Sequence, residues 1–98
     1  VRSYEALYII RPDLEDEQIE AVVNKFTGLI EKNGGEIIQV DKWGKRKLAY
    51  EIRKYREGYY VLMQFRGTSA TAQELERVFK ITDEVIRYLI ARLEEKAS

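Results

Sequence analysis

Four stretches of β-forming residues are interrupted by two amphipathic helical stripes, and their order, β-α-β-β-α-β, limits the chain to few architectures. Tyr4 to Ile10 alternates, with Tyr4, Ala6, Tyr8 and Ile10 on one side and Ser3, Glu5, Leu7 and Ile9 on the other, which is strand periodicity. Pro12 and Asp13 stop that strand and offer an N-cap, and Glu15, Asp16, Glu17 and Glu20 set negative charge at the positive end of a helix dipole. Ile19, Val22, Val23, Phe26, Leu29 and Ile30 then recur at helical spacing, and Asn33-Gly34-Gly35 supplies a left-handed exit. Glu36 to about Ile52 is rich in β-formers, with a bulge or bend expected at Gly44. Arg53 to Gly58 turns the chain back and Tyr59 to Arg66 returns. In the second helix Ser69 or Thr71 offers a cap, the latter boxed with Glu74, and Leu75, Val78 and Phe79 form the stripe. Val85 to Leu93 closes the pattern before a frayed polar end at residues 94–98.

Two right-handed β-α-β units of this kind give an α+β, ferredoxin-like fold: a four-stranded antiparallel sheet with both helices on one face. The first and third strands lie at the centre, the second and fourth at the edges, and the other face stays open. With 98 residues the chain makes one domain, residues 1–98, large enough to fold without staples. The absence of cysteine excludes disulfides, thiolate metal sites and cysteine nucleophiles, and the absence of histidine removes the commonest general base and zinc ligand. No apolar run is long enough for a membrane span, and the composition points to a soluble, intracellular protein. No cofactor, metal or small-molecule substrate is expected.

Charge is even overall but not along the chain. Asp41 to Glu57 holds seven of the seventeen lysines and arginines against three acids. A charge cluster is ordinarily a solvated surface, but here Trp43 and Tyr50 bracket Lys45, Arg46 and Lys47, cations for an RNA backbone beside rings for unpaired bases. Lys42, Lys45, Arg46 and Lys47 are the phosphate-contact candidates, with Arg53, Lys54 and Arg56 available at the turn. Consecutive strand residues point to opposite faces, so at least one of Lys45, Arg46 and Lys47 is expected to be solvated or paired with Asp41, Glu51 or Glu57. Trp43 either stacks on a base or covers the sheet edge; Tyr50 faces a partner. The open face should show Leu7, Ile9, Tyr60, Leu62 and Leu89, an apolar patch suited to a protein contact.

Two other functions on this topology fit poorly. An RNA-recognition motif would need exposed aromatics on the central strands, yet parity sends Tyr8 and Tyr59 toward the helices and leaves Val61 where a ring is required. An acylphosphatase-type site would need a phosphate-cradling loop after the first strand, where Arg11-Pro12-Asp13 lacks an amide donor and five acids between Asp13 and Glu20 repel phosphate. The acidic pairs on the helices read as solubilising surface, and no catalytic residue is assigned.

Asp41-Lys42-Trp43-Gly44-Lys45-Arg46-Lys47-Leu48-Ala49-Tyr50-Glu51-Ile52 resembles the signature of the bacterial small-subunit ribosomal protein six family. Arg2-Ser3-Tyr4-Glu5, Arg11-Pro12-Asp13, Tyr60-Val61-Leu62-Met63 and Asp83-Glu84-Val85-Ile86-Arg87 resemble its further segments, in order and across almost the whole chain. The resemblance implies a non-catalytic, cytoplasmic constituent of the small ribosomal subunit that binds ribosomal RNA in the central domain, cooperatively with small-subunit protein eighteen. It makes Lys45, Arg46 and Lys47, with Arg2 and Arg87, the implied RNA contacts and Leu48, Ala49 and Tyr50 the implied partner strip, which Tyr60 and Leu62 on the open face extend. Glu51 departs from the family, many of whose members have proline there, and the long acidic tail of some relatives is missing. A non-ribosomal protein-interaction module is the alternative, in which the cations only blunt an edge strand.

Overall fold

The computed structural model describes residues 1–93, and the polar end expected at 94–98 lies outside them. Six elements follow the expected order: β1 (Arg2–Ile10), α1 (Asp16–Lys32), β2 (Glu36–Ile52), β3 (Tyr55–Gly67), α2 (Ser69–Ile81) and β4 (Val85–Leu93). The strands form one antiparallel sheet in the order β2-β3-β1-β4, so β1 and β3 are central.

Pleat parity organises the core. Tyr4, Ala6, Tyr8 and Ile10 of β1 and Val61, Met63 and Phe65 of β3 are buried, beneath Ile19, Val22, Val23, Phe26 and Ile30 of α1 and Leu75, Val78 and Phe79 of α2. At the centre three rings meet: Phe26 and Phe79 with centroids 4.6 Å apart, and Tyr8 at 5.2 and 5.1 Å from them. Such pairs contribute about 0.5–1.5 kcal/mol each beyond their burial. Among the described residues the Tyr8 hydroxyl has no hydrogen-bond partner, and burial, with Glu20 and then Tyr59 nearby, pushes its pKa well up.

The helix ends differ in detail from the sequence pattern. α1 is capped by Glu15 rather than Asp13: the Glu15 N–H donates to the Gln18 side chain at 2.9 Å. Asp13 instead faces Arg11 at 3.3 Å. The exit is as expected, with Gly34 at φ 81 and the Gly35 N–H reaching the Ile30 carbonyl at 2.8 Å. α2 is capped by Thr68, neither Ser69 nor Thr71. Thr71 is the far side of that box, accepting the Thr68 N–H at 3.3 Å and donating to the Asn33 carbonyl at 3.0 Å, which ties the start of α2 to the end of α1. Glu74 is taken by Arg77 through two contacts of 2.7 Å.

The return after β2 is tighter than expected. Ile52 pairs with Tyr55 across a two-residue turn in which Arg53 and Lys54 have φ 49 and 69, the left-handed geometry of a type I′ turn. β3 therefore starts at Tyr55 and not at Tyr59.

On the open face Ile9 is buried, contrary to expectation, because it lies against Gly58, a residue with no side chain to hold it off. Ile86 joins them: β4 opposes Ile10 with Val85 and Ile9 with Arg87, leaving Ile86 as the extra residue of a bulge. Leu7, Tyr60 and Leu62 are half-buried and Leu89 is exposed. The pairing register sets Leu62, Leu7 and Leu89 in one row across three strands.

Candidate nucleic-acid interface

The basic segment is the C-terminal part of β2 and the turn beyond it. β1 pairs with β3 only as far as Tyr59, so the stretch of β2 from Arg46 and of β3 up to Gly58 projects past the central strand as a two-stranded arm. Its tip is clasped to the body. An Arg53 guanidinium N–H donates to the Asp83 carbonyl at 3.1 Å, and Arg11 reaches the Asp83 carboxylate at 3.0 Å.

Gly44 sets the direction of the arm. At φ 83 it forms, with Trp43, a bulge in which both residues stand against Tyr60. The Trp43 ring stacks on Tyr60 at 6.2 Å and 11°, its indole N–H donates to Asp41 at 3.1 Å, and the Arg46 guanidinium lies 5.2 Å from its centroid. Of the two roles open to Trp43, the fold supplies a packing one: it covers the sheet where the arm departs, while remaining 37% exposed.

The register divides the cations. Arg46 opposes Gly58 and stands on the open side with Trp43, whereas Lys45 opposes Tyr59 and Lys47 opposes Glu57, on the helix side. Asp41 is engaged by Trp43 and Glu51 faces Arg56 at 3.9 Å. Among the described residues Lys45, Arg46 and Lys47 make no ion pair and all three are exposed, so of the two outcomes expected for at least one of them it is solvation that holds, and it holds for all three. Lys42 is the cation that is paired. It opposes Val61, points to the helices and donates to Glu20 of α1 at 2.6 Å, a bond that raises its pKa.

The remaining candidates fall into separate places. Arg87 shares the open side with Ile9, its neighbour in register, and its guanidinium lies 5.4 Å from the Tyr50 centroid. Tyr50 is 58% exposed, Ala49 is exposed and Leu48 is half-buried. Tyr60 and Leu62 line the open face nearby. Arg2 does not join them. It opposes Gly67 at the other end of β1, seven residues from the Ile9–Arg87 pair, a separation of roughly 24 Å at about 3.4 Å per residue.

Sequence reasoning passed over Arg11, whose role as a clasp depends on loops that meet only in the fold, and Lys80, which reads as an ordinary helix-end cation. Among the described residues no group of acidic, histidine or cysteine side chains could hold a metal ion, and no helix is long and apolar enough to cross a membrane.

Residues 3–92 match the family model described as ribosomal protein S6. The chain belongs to the ribosomal protein S6 family. It is 65% identical to the small ribosomal subunit protein bS6 of Moorella thermoacetica over the full length of both chains, and 58% identical to that of Thermoanaerobacter pseudethanolicus over 97% of this chain and all of the other. The crystal structure of 30S ribosomal protein S6 from Thermotoga maritima superposes with a TM-score of 0.90 at 39% identity, covering 94% of this chain and 87% of that one. The S6 family consists of structural proteins of the small ribosomal subunit, and the split β-α-β sheet is its fold. The segment 41–52 is here the bulged edge strand and the near half of the arm.

Proposed function

We propose that this S6-family chain is a structural, non-catalytic constituent of the bacterial small ribosomal subunit, binding small-subunit ribosomal RNA in the central domain together with small-subunit protein eighteen. The observation that carries the reading is the arm: three solvated cations, Lys45, Arg46 and Lys47, on a ribbon projecting beyond the sheet. No carboxylate among the described residues neutralises them, and a phosphate backbone would. The open face supports the second half of the reading. Leu62, Leu7 and Leu89 form an apolar row beside Tyr60, and exposed apolar surface of this kind suits a protein neighbour. Leu48, Ala49 and Tyr50 extend that surface onto the arm. Assembly into the ribosome makes the protein cytoplasmic.

Because the two strand faces separate Arg46 from Lys45 and Lys47, a single flat RNA surface would not meet all three cations. Arg2, at the other end of β1, makes its RNA contact at a site remote from the arm.

The test is a salt titration of RNA binding, with and without protein eighteen, on the native chain and on the variant carrying Lys45→Ala, Arg46→Ala and Lys47→Ala. The variant should bind more weakly and with a flatter dependence on salt, by about one in the log–log slope for each phosphate that is no longer neutralised. Equal binding and equal slope would favour an interaction-only module whose cations merely protect an edge strand.

A further inference from the structure

A second group of cations lies apart from Lys45, Arg46 and Lys47. Arg53 in the turn of the arm, Lys80 in the last turn of α2 and Arg87 near the start of β4 line one concavity, with Phe79, Ile86 and Tyr88 contributing apolar surface. Three elements distant in sequence converge there, and among the described residues no carboxylate lines the concavity.

Each part has a fixed setting. Arg53 is held by the Asp83 carbonyl at 3.1 Å and its carboxylate at 3.7 Å, and that carboxylate is already shared with Arg11. The Arg87 guanidinium rests against the Tyr50 ring at 5.4 Å. Lys80 has no hydrogen bond or ion pair among the described residues. At the end of α2 it complements the helix dipole, which explains Lys80 alone but not its convergence with two arginines. Like charges gathered in one groove repel, and a shared anion relieves that repulsion.

The form of the groove selects the anion. The charges come from three side chains on three separate elements, and an extended anion with several phosphates can meet more than one of them. Tyr88, half-buried and stacked at 5.1 Å on the buried Phe79, gives it an apolar wall that suits a sugar between phosphates.

We infer that Arg53, Lys80 and Arg87 form a second contact for an RNA phosphate backbone, distinct from the cluster of Lys45, Arg46 and Lys47. The inference rests on the RNA-binding reading above and adds Arg53 and Lys80 to it.

The variant Arg53→Gln/Lys80→Gln tests it, since both side chains are exposed and melting will show that the fold is kept. Bound to a small-subunit RNA central-domain transcript with the partner protein present, it should lose roughly tenfold in affinity and about two in salt slope. Lys80→Gln alone, which leaves the Arg53–Asp83 contacts untouched, should lose about half of that slope. Native affinity and slope in both variants, while the Lys45–Lys47 arm variant binds weakly, would overturn this second contact and leave the proposed function standing. Absence of RNA binding by the native protein would sink both. Weaker capture of the partner protein with RNA binding unchanged would also overturn the inference, by assigning the groove to protein.

Discussion

The guanidinium of Arg87, on β4, lies 5.4 Å from the ring of Tyr50, on the arm, so an edge strand and a projecting ribbon from opposite margins of the sheet touch across its open face. An exposed cation–π contact contributes about 0.5–1 kcal/mol. A double-mutant cycle in urea with Tyr50→Ala and Arg87→Gln should show coupling of that size. Strict additivity would mean that the two side chains do not interact in solution.

The same pair joins the proposed partner strip to a proposed RNA contact. A protein that covers Tyr50 changes what holds Arg87, and an RNA that draws Arg87 away uncovers Tyr50; by linkage, the two effects are equal in free energy. RNA affinity measured with and without protein eighteen should therefore change by a different factor in Tyr50→Ala than in the native chain. The same factor in both proteins would show that this contact carries none of the coupling.

Lys42 should stand apart from the other cations of its segment. Its ammonium is engaged by Glu20 on the helix side, so Lys42→Gln is expected to leave RNA affinity within about twofold and the salt slope unchanged, whereas Arg46→Gln lowers both. A drop on Lys42→Gln matching that of Arg46→Gln would show that RNA displaces Glu20.

Tyr8 gives a prediction in pH. Its hydroxyl is buried without a partner, and an unsatisfied buried polar group costs about 1–3 kcal/mol, so Tyr8→Phe should stabilise by about 1 kcal/mol, or raise Tm by about 4–8 °C. The pKa is raised in the folded state. Below the ordinary tyrosine value of 10.0 both states keep the proton; above it the unfolded chain ionises first, and stability falls with pH. The advantage of Tyr8→Phe should therefore widen in melting curves taken above pH 10.0 and stay constant below it. A constant difference throughout would mean that the hydroxyl ionises as freely folded as unfolded.

Gly58 allows Ile9 to sit down on the sheet where the arm begins. A Cβ there would overlap the Ile9 side chain, which is stiff at its branched carbon, and Gly58→Ala should cost about 1–3 kcal/mol in chemical denaturation. The paired change Gly58→Ala/Ile9→Ala should cost less than the sum of the single changes, because it removes the overlap. Additive costs would place the strain elsewhere.

What the sequence could show of this protein was whatever depends on local periodicity. The alternation from Tyr4 to Ile10, the helical stripes and the bulge at Gly44 are all where the residues put them, because each is decided by neighbours within a few positions. Where several polar residues competed, the pattern was ambiguous: Asp13 and Glu15 both suit a cap, as do Thr68, Ser69 and Thr71, and contacts such as that of Thr71 with Asn33 decide between them. The Arg53–Lys54 turn was hidden because it takes left-handed geometry without glycine or asparagine, the residues that usually mark it. Contacts across the sheet were out of reach as well. The burial of Ile9 needs Gly58, and the capture of Lys42 by Glu20 needs the packing of α1 on β2.

The row of Leu62, Leu7 and Leu89 sets a measure for whatever covers the sheet. Paired strands lie about 4.8 Å apart, so three leucines in register offer ridges at that interval across the sheet and hollows between them. A neighbour matches by presenting knobs at the same interval, and one displaced by half of it meets ridge on ridge. Recognition on this face is then a question of spacing, fixed by the backbone hydrogen bonds of the sheet and not by the side chains that a partner meets.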